Sequence, residues 1–215
     1  MTKNRSRSDR SSDLKTGRNG VDLMRILLVT ANCANAYIDI EREHRTLQRI
    51  ADAGGHSLSI LPAAEVTDLR DALATDRARP PFDILHFSGH ATPDEGLILR
   101  AKGRHKATIG GAVLGKYLQG SGVRLVVLNA CCSESQLEAL SEVVPVVIGA
   151  TRNIRDVVAR QFTGNFYGAL NEGATDRVAF ETALAKGKKG KPAYRRVGRD
   201  IRLTDDPATF LEIAS

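Results

Sequence analysis

Residues 80–90 read PPFDILHFSGH, and the fold turns on that stretch. Pro80, Pro81 and Asp83 punctuate its start and Gly89 its end. Between them Ile84, Leu85 and Phe87 make an apolar run too short for a helix and rich in strand formers. A run of this kind suits a strand buried on both faces, as parallel sheets require. Three more segments repeat it, RILLVT (25–30), VRLVVLNA (123–130) and VPVVIGA (144–150), and HSLSILPA (56–63) alternates as a further strand.

Between these strands the period changes to that of helices. Asp39 can cap a helix carrying Ile40, Leu47, Ile50 and Ala51 on one face and ending at Gly54 and Gly55. Further helices are expected over 65–77, through Val113 to Leu118, over 134–142, along Val158, Phe162, Phe166 and Ala169, and over 176–186. Residues 95–110 read as a short hairpin. The alternation predicts an α/β fold in which one mostly parallel sheet takes all five strands.

At 215 residues, with 42% hydrophobic content, the chain is long enough to bury a sizeable core as one domain with appendages. Residues 1–23 hold almost nothing to bury and read as a disordered basic tail whose removal should leave the thermal midpoint unchanged. Lys3, Arg5, Arg7, Arg10, Lys15 and Arg18 against Asp9, Asp13 and Asp22 put half of the net charge of +6 there, leaving the globular part mildly basic. Met24 is either the first core methionine or a start codon. The domain itself is expected over 24–186. Over 187–215 a basic loop from the run KGKKGKPAYRR and a short C-terminal segment are expected to pack on the domain.

Cys33, Cys131 and Cys132 form no disulfide framework and no C-x-x-C pair, which points to a reducing, cytoplasmic setting. No apolar run is long enough to span a bilayer. The segment G-K-K-G-K lacks the spacing and hydroxyl of a phosphate-binding loop, so no cofactor is expected. Direct nucleic-acid binding has no fold-level signal, and oligomeric state is not legible.

Ligands and reactive groups in open parallel sheets gather at the carboxyl ends of the strands. His90 stands just past the end of the third strand, and Cys131 and Cys132 just past the fourth. If those strands are neighbours, their backbones lie about 4.8 Å apart and a thiol and an imidazole can meet. That pair makes a nucleophile for acyl transfer, with His90 carrying the proton and backbone N–H groups holding the oxyanion. The bland alternative is a buried structural cysteine. His86 is expected to pack in or beside the core. A metal site is not expected, because Cys131, Cys132, His86 and His90 lack ligand spacing.

The blocks PPFDILHFSGHATPDEGLILR (80–100), VRLVVLNACCSESQLEAL (123–140) and VVPVVIGATRNIRDVVARQFTGNFYGAL (143–170), with the opening MRILLVTANCANAYIDIEREHRTLQRI (24–50), resemble the CHAT peptidases, the bacterial branch of the caspase-like clan that includes separases. The resemblance implies a caspase-like three-layer αβα sandwich with His90 and Cys131 as catalytic residues. It implies an oxyanion hole of backbone N–H groups at Ala91 and Cys131. Ala91 replaces the family's usual Gly, and supplies the same N–H unless the turn demands φ > 0. Asn129 would line the substrate pocket, unless its amide only ties strand to loop. Asp156 starts a helix, where capping is the simpler role, but it could also enter the pocket.

On this resemblance the chain is a cysteine endopeptidase cleaving a protein partner, such as a gasdermin-like pore-former, in bacterial antiphage defence or programmed cell death. A separate sensor would activate it. The alternative is a catalytically inert CHAT-like binding adaptor. With Asn129 rather than an acid beside the nucleophile, an uncharged residue is expected before the cleaved bond.

Overall fold

The structure is a computed structural model that describes residues 23–32, 37–74, 80–102, 105–187 and 192–203. Cys33, the expected tail to residue 22 and the C-terminal segment from 204 lie outside the described residues.

The chain alternates as its periodicity demands: β1 (Arg25–Ala31), α1 (Ile40–Gly54), β2 (Ser57–Leu61), α2 (Val66–Leu73) and β3 (Ile84–Thr92). A hairpin follows, β4 (Gly96–Arg100) and β5 (Lys106–Ile109), then α3 (Gly111–Leu118) and β6 (Leu125–Asn129). A 3-10 turn over Ser133–Gln136 leads into α4 (Leu137–Ser141), β7 (Val146–Ala150), α5 (Asp156–Asn171), α6 (Asp176–Ala185) and β8 (Tyr194–Gly198). The main path of the eight-stranded sheet runs β2-β1-β3-β6-β7-β8, parallel except for β8. The hairpin is attached to the far end of β3.

Two corrections to the sequence reading arise here. The third strand does not stop before His90: beyond Gly89 it leaves β1 and β6 and pairs antiparallel with β4, His90 opposite Ile98 and Thr92 opposite Gly96. The sheet also gains β8, cut from the cationic run read as a loop. An edge strand tolerates such charge, because one of its sides faces water. Tyr194 turns inward at 3% exposure and stacks on Phe162 with ring centroids 3.9 Å apart. Arg196 pairs with the fully buried Asp176, whose other oxygen accepts from the Ile201 amide at 2.6 Å.

Strand residues alternate between two cores, which makes the molecule a three-layer αβα sandwich. On one side Leu85, Phe87, Val126 and Leu128 pack with Leu69 of α2, Leu114 of α3 and Leu137 of α4. On the other, Ile84, Leu125, Val127 and Ile148 pack with Leu47 of α1, Phe162 and Phe166 of α5 and Ala179 of α6. No helix among the described residues is long and apolar enough to cross a membrane.

Candidate active site

Strands β3 and β6 are hydrogen-bonded parallel neighbours, with His86 opposite Val127 and Ser88 opposite Asn129. Successive residues of a strand point to opposite faces, so His86, Ser88 and His90 share one face and Val127, Asn129 and Cys131 share the same one. That face is the one covered by α1 and α5, where Ile84 and Val127 pack. His90 and Cys131 each lie two residues beyond the last β3–β6 pair, at the carboxyl end of the parallel sheet. They line one small cleft, about 70 Å³, together with Asp39, Glu43, Ser88, Asn129, Ile154 and Asp156.

Local structure fixes both positions. Gly89 precedes His90 because a Cβ there would stand 2.7 Å from the Ala31 carbonyl oxygen of the adjoining strand. After Cys131 the chain turns sharply: Cys132 has φ 53°, in the left-handed region, and its amide donates to the Arg152 carbonyl at 3.2 Å. Ser133, fully buried, donates to the Leu128 carbonyl and accepts from the Ala150 amide, each at 2.9 Å. The segments after the two residues are also tied together. Ser135 Oγ donates to the Pro93 carbonyl at 2.9 Å, and Gln136 Nε2 to the same oxygen at 3.3 Å.

Ala91 sits in ordinary backbone, since Ala63 and Cys132 are the only non-glycine residues with positive φ among those described. A glycine is therefore not required there, and its replacement leaves the main-chain geometry open to the same N–H. The Cys131 thiol is engaged by the loop before α5: Sγ lies 3.7 Å from the Ile154 carbonyl and accepts from the Ile154 amide at 3.4 Å. Cys132 Sγ points instead to Asn153 Oδ1 at 3.3 Å.

Below this pair lies a buried polar network that sequence reasoning missed. Glu43 of α1, 5% exposed, accepts at Oε1 from His86 Nε2 at 2.8 Å and Thr163 Oγ1 at 2.7 Å, and from Asn129 Nδ2. Its Oε2 accepts from Ser88 Oγ at 2.7 Å. His86 Nδ1 meets the Tyr167 hydroxyl at 2.9 Å. Burial alone would raise the pKa of Glu43, but the hydrogen bonds and charge of His86, with the hydroxyls of Ser88 and Thr163, hold it below the ordinary carboxylate value. Burial first, then the charge on Glu43, push the Tyr167 and Tyr194 hydroxyls well up, so both remain donors. The signal for Glu43 was present: it follows Ile40 by three residues and precedes Leu47 by four, which sets an acid on the apolar stripe of α1.

Asn129, 3% exposed, has its amide committed. Beyond Glu43, Nδ2 reaches the Ala159 carbonyl at 3.3 Å and Thr163 Oγ1 at 3.1 Å, while Oδ1 accepts from the Tyr194 hydroxyl. It forms part of the cleft wall and ties β6 to α1, α5 and β8. Asp156 is the first residue of α5, and its Oδ2 accepts from the Asp39 amide at 2.9 Å, joining the starts of the two helices at the cleft mouth. Among the described residues no group of three or more His, Cys, Asp or Glu is gathered as a metal-ligand set.

Residues 6–194 match the family described as CHAT domain, most of the chain. The chain belongs to the CHAT domain family. A protein of Gillisia limnaea (strain DSM 15749 / LMG 21470 / R-8282) named "Probable protease" is similar to it, 28% identical over 159 residues. The alignment takes in 69% of this chain and 27% of that relative, so the chain spans about a quarter of its length. The match with the family spans both His90 and Cys131.

Proposed function

We propose that the protein is a cysteine endopeptidase in which Cys131 is the nucleophile and His90 the general acid and base. The observation that carries this reading is that His90 and Cys131, each just beyond the β3–β6 pairing, line one cleft at the carboxyl end of the parallel sheet. His90 takes the thiol proton as sulfur attacks the scissile carbonyl carbon. A C–S bond forms, and the carbonyl oxygen becomes an oxyanion held by the main-chain N–H groups of Ala91 and Cys131. Collapse breaks the C–N bond, and the departing amine leaves with the proton from His90. Water, deprotonated by His90, then attacks the thioester carbon, releasing the carboxylic acid product and restoring the thiol.

The narrow cleft and the committed amide of Asn129 support a small uncharged residue before the cut, read by shape. Asp39 and Asp156 stand at the mouth, but Asp39 already pairs with Arg42 at 2.8 Å and Asp156 accepts from the Asp39 amide. A wider hollow of about 460 Å³ shares Ile154 with the cleft and is lined by both apolar side chains, Val158, Phe162 and Tyr194, and polar ones, Arg152, Arg155 and Gln161, so it has room for the next substrate side chains.

The hold of Ile154 on the thiol supports a chain that works slowly until a partner moves that loop. Its physiological substrate, on this reading, is a protein effector in bacterial defence or programmed death, and a separate sensor protein releases the loop. The test is titration with a peptide bearing a thiol-reactive electrophile. Adduct at Cys131 that disappears in His90→Ala supports the peptidase. Labelling that is indifferent to His90 favours an inert binding adaptor.

A further inference from the structure

Helix α1 carries Arg42, Arg45 and Arg49 at i, i+3 and i+7, which sets three guanidinium groups on one exposed ridge. Helix α5 adds Arg160 from across the interhelical groove, and Thr46, Gln48 and Gln161 complete its lining. The helices approach closely here, since a Cβ on Gly164 of α5 would stand 3.5 Å from Thr46 Cγ2. The hollow is wide, about 710 Å³.

The charges in it are unevenly compensated. Arg42 pairs with Asp39. Arg49 donates to the Arg45 carbonyl at 3.3 Å, and among the described residues no carboxylate pairs with Arg45, Arg49 or Arg160. Like charges repeated along one helix face repel. Folding has no use for that arrangement.

The groove and the cleft are built on the same two helices. Along α1, Asp39 and Ile40 line the cleft and Arg42 the groove; along α5, Ala159 lines the cleft and Arg160 the groove. We propose that this four-arginine groove is a docking surface for an acidic segment of the protein substrate, engaged at a distance from the cleaved bond. The proposal rests on the peptidase reading for the identity of its occupant. Arginine is suited to this role because its planar fork takes a carboxylate through two parallel hydrogen bonds. A single-stranded nucleic acid fits less well, because the lining has no aromatic side chain on which a base could stack. A duplex needs a longer field of cations than one ridge flanked by Asp39, Glu41 and Asp52 supplies.

The test uses the full chain and fluorescence anisotropy of a labelled peptide alternating Glu with Ala, its Gln counterpart, labelled oligo-dT and a labelled DNA duplex. The Glu peptide is expected to bind best, to weaken with salt, and to lose at least about tenfold in affinity in Arg45→Glu/Arg160→Glu. The matched charge change Lys102→Glu/Lys116→Glu, away from the groove, should lose far less. An unchanged affinity in the groove variant, an equal loss in the control, or tighter binding of either nucleic acid through the same arginines overturns the proposal. Electrophile labelling of Cys131 is measured in the same samples. A wild type that binds the peptide but shows no His90-dependent labelling breaks the peptidase reading and, with it, the substrate as occupant, whereas labelling without peptide binding breaks the groove alone.

Discussion

The two faces of strands β3 and β6 are made of the same chain and do different things. Toward α2, α3 and α4 the strands present Leu85, Phe87, Val126, Leu128 and Ala130, an apolar core with no polar interruption. Toward α1 and α5 they begin apolar, with Ile84 and Leu125, and turn polar as they approach their carboxyl ends: His86, Ser88 and His90 on one, Asn129 and Cys131 on the other. A fold does not need that second pattern, and Glu43 must be buried to satisfy it. The difference separates residues that hold the sandwich together from residues that hold the cleft in shape.

Substitutions on the two faces should therefore fail differently. The largest loss of stability is expected from Phe87→Ala, about 3–5 kcal/mol from lost burial and the cavity left behind. Denaturant unfolding measures it, and well below the lowered midpoint His90-dependent labelling should survive. Glu43→Gln comes next. It sets an amide against the donors of His86, Ser88, Thr163 and Asn129, at a cost on the order of 3 kcal/mol. Unlike Phe87→Ala it should also depress Cys131 labelling in protein that is still folded. If both variants lose labelling only in step with unfolding, the distinction between the faces fails.

Acid sharpens the same contrast. The pKa of Glu43 is lower in the folded chain than in the unfolded one, so its contribution is complete above the ordinary carboxylate range and is lost as pH falls through its folded value. The stability gap between wild type and Glu43→Gln should narrow on acidification through and below that range, while the gap for Phe87→Ala stays flat. Midpoints measured across the acidic range decide this. The smallest effect expected is that of Tyr194→Phe, roughly 1 kcal/mol from the lost hydroxyl partner of Asn129, with a modest fall in labelling that reports how far β8 supports the cleft.

Much of this was legible before any coordinates. Short apolar or alternating runs gave five strands, and His90 and Cys131 were legible as neighbours of the carboxyl end of the parallel sheet, because period and strand direction are local properties. What escaped depends on distant neighbours. Tyr194–Gly198 becomes a strand only because β7 offers an open edge and Phe162 a ring to stack on. Glu43 reads as one more charge on a charged helix until His86, Ser88, Thr163 and Asn129 arrive from three other elements. Asn129 looked like a substrate contact, and the partners that occupy its amide lie in α1, α5 and β8.

The central claim is that Cys131, which lines the cleft with His90, and not its neighbour Cys132, is the nucleophile. The most direct measurement is a peptide-electrophile adduct map, by mass spectrometry, of Cys131→Ala and Cys132→Ala side by side, with turnover of a protein substrate followed in parallel. The account predicts that Cys131→Ala loses both adduct and turnover and that Cys132→Ala keeps most of each. Retention in Cys131→Ala with loss in Cys132→Ala would contradict it.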